Sequence, residues 1–191
     1  MRIGCDVDGV LADFNRAFIE RVALVTRRDL FPPRPFEIST WNYPESYGYT
    51  SKEVSMVWAG IKRDPIFWSS LSAYSGTFDA ISLLRLREWT RGDEVYFITA
   101  RPGYRPKFQT ELWLRANSGD PTWTPTVLIS SDKAGCAGAL RLDKYIDDRI
   151  ENVVSVAPLC QTYLMDRPWT RALDEKQFGI TRVTSVGEMF K

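Results

Sequence analysis

Two aspartates near the N-terminus, Asp6 and Asp8, carry the clearest chemical signal in the sequence. They stand at the end of a short apolar run, Ile3-Gly-Cys-Asp-Val7, which predicts a buried strand, and Gly9 then allows the chain to turn. This pattern predicts that both side chains lie at the carboxyl edge of a sheet, where open α/β folds bind ligands. Two carboxylates this close are costly to bury unless a cation or a reaction requires them.

Three further runs of strand-forming residues end at side chains that could join the same chemistry. These runs cover residues 95–100, 126–129 and 145–149, and each is rich in β-branched or aromatic residues. In chain order they supply a hydroxyl, an amine and two adjacent carboxylates: Thr99, Lys133, Asp147 and Asp148. Four predicted strand ends therefore deliver acidic, hydroxyl and cationic groups in a fixed order.

This order resembles the four signature motifs of the haloacid dehalogenase (HAD) superfamily. The resemblance covers most of the chain apart from residues 15–76, where that superfamily commonly inserts a cap. The segments around Asp6 and Asp147, together with Met165-Asp-Arg-Pro-Trp169, are most similar to the 5'(3')-deoxyribonucleotidase family. The resemblance implies an α/β fold, namely a HAD-like doubly wound parallel sheet (Rossmann-like) with a small, mostly helical inserted cap.

The resemblance assigns distinct roles to the first two acids. Asp6 would be the nucleophile that attacks phosphorus and forms an aspartyl-phosphate. Asp8 would protonate the leaving oxygen and later activate water. Haloalkanoate-cleaving relatives lack an acid at this second position, so Asp8 favours phosphoryl transfer over dehalogenation. The alternative for both residues is a solvated turn at the end of a strand.

The resemblance also implies a magnesium ion. Asp147 would bind Mg²⁺ directly, together with the side chain of Asp6 and the backbone carbonyl of Asp8, whereas Asp148 would act through a bound water. The chain has no histidine, so any metal must be held mainly by oxygen, which favours a hard cation. Alternatively, Asp147 is an acidic strand end, and Asp148 caps a helix that begins near Ile150.

The phosphate group would be bound at the second and third motifs. Thr99 offers a hydroxyl, the backbone amides of Ala100 and Arg101 can face a phosphate, and Lys133 supplies positive charge. One residue departs from the family pattern, because Ala100 stands where the deoxyribonucleotidases usually have serine. Only the amide of Ala100 is then left to contact phosphate.

An aromatic segment between residues 41 and 68 raises the question of substrate choice. Trp41, Phe67 and Trp68 are candidates for stacking on a nucleobase, although such rings can also fill the small core of a cap. Arg101 could pair with a phosphate or a base carbonyl, or form a salt bridge at the rim.

The hydrophobic pattern divides the chain into a catalytic core, residues 1–14 and 77–191, and an inserted cap, residues 15–76. Within the cap, Ser51 is the predicted N-cap of a helix, and Thr77 is the predicted N-cap of the helix that resumes the core. The later strands and helices alternate, which predicts a parallel sheet covered on both faces. Predicted elements after residue 92 are strands 94–99, 126–129, 144–147 and 162–165 and helices 105–116, 134–142 and 150–156.

Composition restricts the other function classes. The chain has 191 residues, 44% of which are hydrophobic. Its formal net charge of +1 does not indicate the basic surface that binds nucleic acid. No apolar run is long enough for a membrane span, and the absence of an export signal predicts a cytoplasmic protein. The three cysteines are widely separated, which predicts reduced thiols.

These features together predict a magnesium-dependent phosphomonoester hydrolase with an aspartyl-phosphate intermediate, most similar to a 5'(3')-deoxyribonucleotidase. Its partner would be a small-molecule phosphomonoester, with a deoxyribonucleoside monophosphate preferred. A sugar-phosphate or other small-metabolite phosphatase is an alternative within the same chemistry. A non-catalytic ligand-binding relative is the alternative from a different class.

Overall fold

The computed structural model describes residues 1–27 and 47–191 of the chain. The strands are β1 (Arg2–Cys5), β2 (Glu94–Thr99), β3 (Thr126–Ile129), β4 (Lys144–Asp147), β5 (Gln161–Met165) and β6 (Thr181–Val183). The helices are α1 (Phe14–Thr26), α2 (Ser51–Arg63), α3 (Thr77–Arg91), α4 (Pro106–Ala116), α5 (Lys133–Leu140) and α6 (Ile150–Val156). Short 3-10 helices follow at Pro168–Thr170, Glu175–Phe178 and Val186–Phe190.

The six strands form one parallel sheet in the order β3-β2-β1-β4-β5-β6. The chain winds outwards from β1 to β3, crosses back to β4, and then winds outwards the other way to β6. This doubly wound topology is the predicted one, and its direction reverses between the paired neighbours β1 and β4. Ligands bind beyond the carboxyl ends of the strands at such a switch point. Among the strands of the described residues, only β6 was not predicted, because three residues are too few to form a recognisable pattern.

Side chains of the sheet contribute to two hydrophobic cores, one on each face. Along β2, Val95 and Phe97 belong to the first core and Ile98 to the second, since successive side chains of a strand point to opposite faces. The first core also contains residues of α1, α2, α3 and α4. The second contains residues of α5 and α6. Both faces of the sheet are therefore covered, as expected for parallel strands.

Both predicted N-caps are wrong by one residue. Helix α2 is capped by Thr50, not Ser51, because Thr50 and Glu53 form a reciprocal capping box. Helix α3 begins after Gly76, which adopts a positive φ of 82° and makes no side-chain cap. The hydroxyl of Thr77 instead donates a hydrogen bond to the carbonyl oxygen of Leu11, with 2.8 Å between the two oxygens. This bond fixes the start of α3 against the turn that follows the first two aspartates.

Helix α2 and most of α1 lie in the stretch predicted as a cap. The two helices pack on each other, and the rings of Phe18 and Trp58 have their centroids 5.2 Å apart. Residues 28–46, which include the predicted stacking residue Trp41, lie outside the described residues. The division of the chain into a core and a cap stays a prediction.

The cysteines agree with the expectation from the sequence. Cys5, Cys136 and Cys160 are all free thiols. Cys5 is fully buried beside Asp6, and burial raises the pKa of its thiol above the usual value. Among the residues that the structure describes, no helix has the length and apolar character needed to cross a bilayer.

The close packing of Gly4 between β2 and β4 gives a testable prediction of stability. A Cβ at this position would lie 2.5 Å from Leu142 Cδ1 and 2.8 Å from Tyr145 Cδ2. We expect Gly4→Ala to lower the free energy of unfolding by about 1–3 kcal/mol, the usual range for overpacking. Urea unfolding followed by circular dichroism measures the change.

Gly60→Ala is the matched control, because Gly60 is exposed on α2 and a Cβ there meets nothing within 4 Å. That variant should be as stable as the parent, or more stable, since alanine is the better helix former. Equal stability of Gly4→Ala and the unaltered protein would contradict this account of packing at β1.

Candidate active site

The predicted catalytic, phosphate-binding and metal-binding residues meet at the carboxyl edge of the sheet, around the switch point between β1 and β4. Asp6 follows β1, and its backbone N–H extends the ladder to the carbonyl of Ile146 at 2.9 Å. A pocket of about 260 Å³ opens here. Its lining comprises Asp6, Asp8, Phe14, Trp58, Trp68, Thr99, Ala100, Arg101, Pro102, Lys133, Asp148, Arg149 and Asn152. Asp147 lies behind this lining and is fully buried.

Lys133 forms a buried ion pair with Asp6. It is the first residue of α5, a helix capped by the side chain of Asp132. Its ammonium group lies 2.8 Å from Asp6 Oδ1 and 4.0 Å from Asp147 Oδ2, and it also donates to the carbonyl of Ile98. Burial alone would lower the pKa of Lys133, but the carboxylates of Asp6 and Asp147 outweigh it and raise this pKa. Lys133 therefore places a positive charge at the floor of the pocket.

Three buried carboxyl groups lie together at the floor of the pocket. Asp6, Asp147 and Asp148 each offer one oxygen, and these oxygens lie within 4.8 Å of one another. Burial raises the pKa of Asp6 to about 7, and burial together with the charge of Asp147 raises the pKa of Asp148 well above its usual range. Such crowding is relieved when a cation binds between the groups.

The donor set fits a hard divalent cation. It consists of carboxylate oxygens, the ligands that Mg²⁺ prefers. In addition, Asp148 Oδ1 is buried and has no hydrogen-bond partner among the described residues. An orphaned buried acceptor of this kind is unusual in a native protein unless a ligand satisfies it. The side chain of Asp8 is not part of this cluster.

Hydrogen bonds hold Asp147 from three directions. The phenol of Tyr145 donates to Oδ2, the backbone N–H of Arg149 donates to Oδ1 at 2.9 Å, and Asn152 Nδ2 donates to Oδ2 at 2.9 Å. Tyr145 precedes Asp147 by two residues on β4, so both side chains point to the same face of the strand. The position of this carboxylate is thus set before any ligand enters.

Asp148 does not cap the helix that follows it. Helix α6 has Arg149 at its N-cap and no side-chain cap. Asp148 is buried instead, and its Oδ2 accepts a hydrogen bond from Trp169 Nε1 at 3.0 Å. Gly9 packs against this carboxylate so closely that a Cβ would lie 2.0 Å from Oδ2, and its φ of 77° also suits glycine. The capping alternative is therefore wrong.

Asp8 is held by a buried arginine. Arg101 Nε lies 2.9 Å from Oδ2 and Nη2 lies 2.8 Å from Oδ1, while the Thr99 hydroxyl donates to Oδ2 at 3.1 Å. The side chain of Arg101 is 0% exposed, and its Nη1 also donates to Thr110 Oγ1 at 3.1 Å and the carbonyl of Trp68 at 3.4 Å. Arg101 therefore connects Asp8 with the segment that bears Trp68. Ala100 stays exposed beside them.

Aromatic rings form one wall of the pocket. Phe14 lies between Trp58 and Trp68, with centroid distances of 5.6 Å to each and interplanar angles of 25° and 24°. Trp68 is fixed by a 3.0 Å hydrogen bond from Nε1 to the carbonyl of Pro102. Phe67 packs edge-on against Trp68, but it is buried and does not line this pocket.

Sequence reasoning did not assign five of the residues that line the pocket. They are Phe14, Trp58, Pro102, Arg149 and Asn152. Two of them had a usable signal, because Phe14 begins the helix just after the acidic pair and Asn152 lies in the first turn after Asp147. Trp58 is brought to the pocket by the packing of α2 on α1, which no local pattern reveals.

The raised pKa of Asp6 predicts a pH dependence of stability. Because burial raises this pKa from 3.8 to about 7, the folded protein binds a proton that the unfolded chain has already released. The resulting stabilisation is complete below pH 3.8 and is lost as the pH rises through about 7. With a chelator present, we therefore expect the free energy of unfolding to fall as the pH rises from 3.8 to about 7. Urea unfolding at several pH values measures this change.

Asp6→Asn should flatten this pH dependence, because the amide does not titrate. Asp79→Asn, which changes an exposed acid on α3, should leave it unchanged. An equally steep dependence in Asp6→Asn and the unaltered protein would assign the titration to another group.

Comparison with known proteins agrees with this architecture. No family model matches the chain. A curated relative from Bacillus cereus, named "Putative nucleotidase", is 30% identical over 122 residues, which is 60% of this chain and 57% of the relative. The match thus spans little more than half of that relative's length.

Solved structures resemble the chain over nearly its whole length. The "putative HAD-hydrolase" YfnB from Bacillus subtilis, bound to magnesium, has a TM-score of 0.57 at 14% identity and covers 99% of this chain and 96% of its own. CbbY from Rhodobacter sphaeroides, in complex with phosphate, has a TM-score of 0.55 at 17% identity with coverages of 99% and 96%. These likenesses show the fold: the chain has the α/β fold of the HAD-like hydrolases.

Proposed function

We propose that this protein is a magnesium-dependent phosphomonoester hydrolase that acts through an aspartyl-phosphate, with deoxyribonucleoside monophosphates as substrates. The observation that carries the proposal is the setting of Asp6. Its carboxylate lines an open pocket, lies 2.8 Å from a buried ammonium group, and belongs to a cluster of three acids suited to a hard cation. A carboxylate nucleophile beside fixed positive charge is suited to attack on a phosphate dianion.

In the first step, a carboxylate oxygen of Asp6 bonds to phosphorus while the bond from phosphorus to the leaving oxygen breaks. Lys133 stabilises the negative charge on the transferring group, because it is held within hydrogen-bond reach of Asp6. Ala100 is an exposed residue of the pocket lining, and its backbone amide would bind a phosphate oxygen. A bound Mg²⁺, held by Asp6, Asp147 and Asp148, would offset the combined charge of the acids and the phosphate.

Asp8 supplies the proton transfers of both steps. It donates a proton to the leaving oxygen in the first step. In the second step it takes a proton from a water molecule, whose oxygen bonds to phosphorus while the bond from phosphorus to the Asp6 oxygen breaks and releases inorganic phosphate. In the structure, both oxygens of Asp8 accept hydrogen bonds from Arg101. Asp8 must exchange part of this pairing for the leaving oxygen, so Arg101 and Thr99 define the position from which it acts.

A nucleotide substrate is supported by the aromatic wall. Phe14, Trp58 and Trp68 line the same pocket as Asp6, but Phe14 and Trp68 are buried. Trp58 is half-buried and is the ring against which a flat base would lie while the phosphate reaches the nucleophile. The name of the Bacillus cereus relative points in the same direction. The preference for a deoxy sugar rests on the family resemblance of the sequence.

The role of Asp8 predicts a loss of activity that depends on the leaving group. We expect Asp8→Asn to lower kcat about 100- to 10,000-fold on an alkyl phosphate, the usual range for general acid–base catalysis. The loss should be smaller on p-nitrophenyl phosphate, because its leaving group needs little protonation. Steady-state kinetics on both substrates with Mg²⁺ present measures the difference.

Asp6→Asn is the companion variant, and it should abolish turnover of both substrates because an amide is a poor nucleophile. Equal losses on the alkyl and aryl phosphates in Asp8→Asn would contradict the acid assignment. Substantial hydrolysis by Asp6→Asn would overturn the aspartyl-phosphate mechanism.

The aromatic wall predicts a preference for nucleotides that depends on Trp58. Base–aromatic stacking contributes roughly 1–3 kcal/mol, so Trp58→Ala should lower kcat/KM for deoxyribonucleoside monophosphates about five- to hundredfold. Activity on glycerol phosphate, which has no ring to stack, should change much less. A panel of phosphomonoesters assayed with both proteins tests this expectation.

Trp89→Ala is the control for loss of an indole, since Trp89 is 87% exposed on α3 and lies outside the pocket. It should leave the substrate preference unchanged. If hexose phosphates are cleaved better than every nucleotide, the nucleotidase assignment is overturned and a sugar-phosphate phosphatase takes its place.

A further inference from the structure

The segment that follows β5 contacts the acidic cluster, although sequence reasoning gave it no chemical role. This segment, Met165-Asp-Arg-Pro-Trp169, ends in the 3-10 helix Pro168–Thr170. Its indole N–H, from Trp169, donates a 3.0 Å hydrogen bond to Asp148 Oδ2. A residue more than 20 positions away in the chain thus binds one of the three acids of the candidate cation site.

Because of the hydrogen bond from Trp169, the two oxygens of Asp148 have different surroundings. Oδ2 is occupied by Trp169, whereas Oδ1 is buried and has no hydrogen-bond partner in the described part of the chain. Asp148 also offers an oxygen within 4.8 Å of those of Asp6 and Asp147. An outer donor that fixes one oxygen of a carboxylate leaves the other oriented for a metal ion.

The turn that carries Trp169 is itself anchored on the acidic motif. Arg167 Nε donates to the carbonyl of Gly9 at 2.5 Å, and its Nη2 donates to the carbonyl of Val10 at 2.9 Å. The guanidinium also lies 3.8 Å from the ring centre of Tyr74. Arg167 therefore fixes the turn after Asp8 to the same segment that holds Asp148.

Bonds within the segment restrict the position of the indole further. The backbone N–H of Arg167 donates to Thr170 Oγ1 at 3.0 Å, and Arg182 Nη2 donates to the carbonyl of Thr170 at 3.0 Å. Thr170 is 1% exposed. The indole is thus presented by a half-buried, hydrogen-bonded turn.

We propose that Trp169 is a positioning residue for the cation site: its indole N–H orients Asp148 so that Oδ1 faces the bound cation. This inference rests on the cation site of the proposed function. It does not require that the substrate be a nucleotide, and its test measures cation binding without any substrate.

The test compares Mg²⁺ affinity in Trp169→Phe and in the unaltered protein, by isothermal titration calorimetry. Phenylalanine keeps an aromatic ring but removes the N–H donor. We expect the dissociation constant for Mg²⁺ to rise about 10- to 100-fold, the usual cost of losing an outer-shell partner of a metal ligand. At saturating Mg²⁺, activity should return toward that of the unaltered protein, which a loss of folding would not allow.

Trp123→Phe is the matched control. Trp123 is also half-buried, and its ring packs edge-on against Phe97 at a centroid distance of 5.7 Å, away from the acidic cluster. Its Mg²⁺ affinity should equal that of the unaltered protein. Equal affinity of Trp169→Phe and Trp123→Phe would overturn the inference. A failure of the unaltered protein to bind Mg²⁺ would instead overturn the cation site, and the inference with it.

A measurement on the unaltered protein keeps the test independent of how Trp169→Phe folds. In a Mg²⁺ titration followed by NMR, the indole N–H signal of Trp169 should move as the cation draws charge from Asp148. The signal of Trp123 should stay in place. An unmoved Trp169 signal at saturating Mg²⁺ would overturn the inference.

Discussion

The structure depends on one electrostatic constraint, the confinement of three carboxyl groups at the switch point of a parallel sheet. Asp6, Asp147 and Asp148 are all buried, and their oxygens lie within 4.8 Å of one another. A single buried ammonium group, that of Lys133, offsets part of their charge. The negative charge that Lys133 does not offset is reflected in the raised pKa values of Asp6 and Asp148, because burial and like charge both favour the protonated acids. A cation is the natural complement of this arrangement.

The surrounding hydrogen bonds keep these acids in separate, defined positions. Asp147 is held by Tyr145 and Asn152, and Asp148 by Trp169. Donors of this kind come from β4, α6 and the turn after β5, so the site is supported by elements on both sides of it. Such support lets charged groups of like sign remain close without rearranging, as a preorganised catalytic site requires.

Within the pocket, Arg101 connects the acidic residues with the aromatic wall. This side chain pairs with Asp8 and also donates to the carbonyl of Trp68. A shift of the Trp68 segment would therefore move Arg101 and change its pairing with Asp8. The position of the proton-transferring acid and the shape of the aromatic wall are coupled by one buried guanidinium.

Local patterns in the sequence determined the strands and the residues that end them. Strand ends at Thr99 and Asp147 were predicted correctly, since alternating β and α segments constrain the sheet and parallel strands share one edge. Asp6, Asp8 and Lys133 also meet at this edge as the motif order implied. These features depend on residues close together in the chain, or on a topology with few alternatives.

Only the tertiary structure decided which groups contact each other within the site. The sequence offered Asp148 as a helix cap, but its partner is Trp169, 21 residues away. For Arg101 the sequence offered a phosphate, a base carbonyl or a salt bridge at the rim. The structure shows a salt bridge, but it is buried, and its partner is Asp8, 93 residues away. These partners are far apart in sequence, and side-chain pairing across such distances follows from packing rather than from local periodicity. The placement of Trp58 beside Phe14 has the same cause, because it depends on how α2 packs against α1.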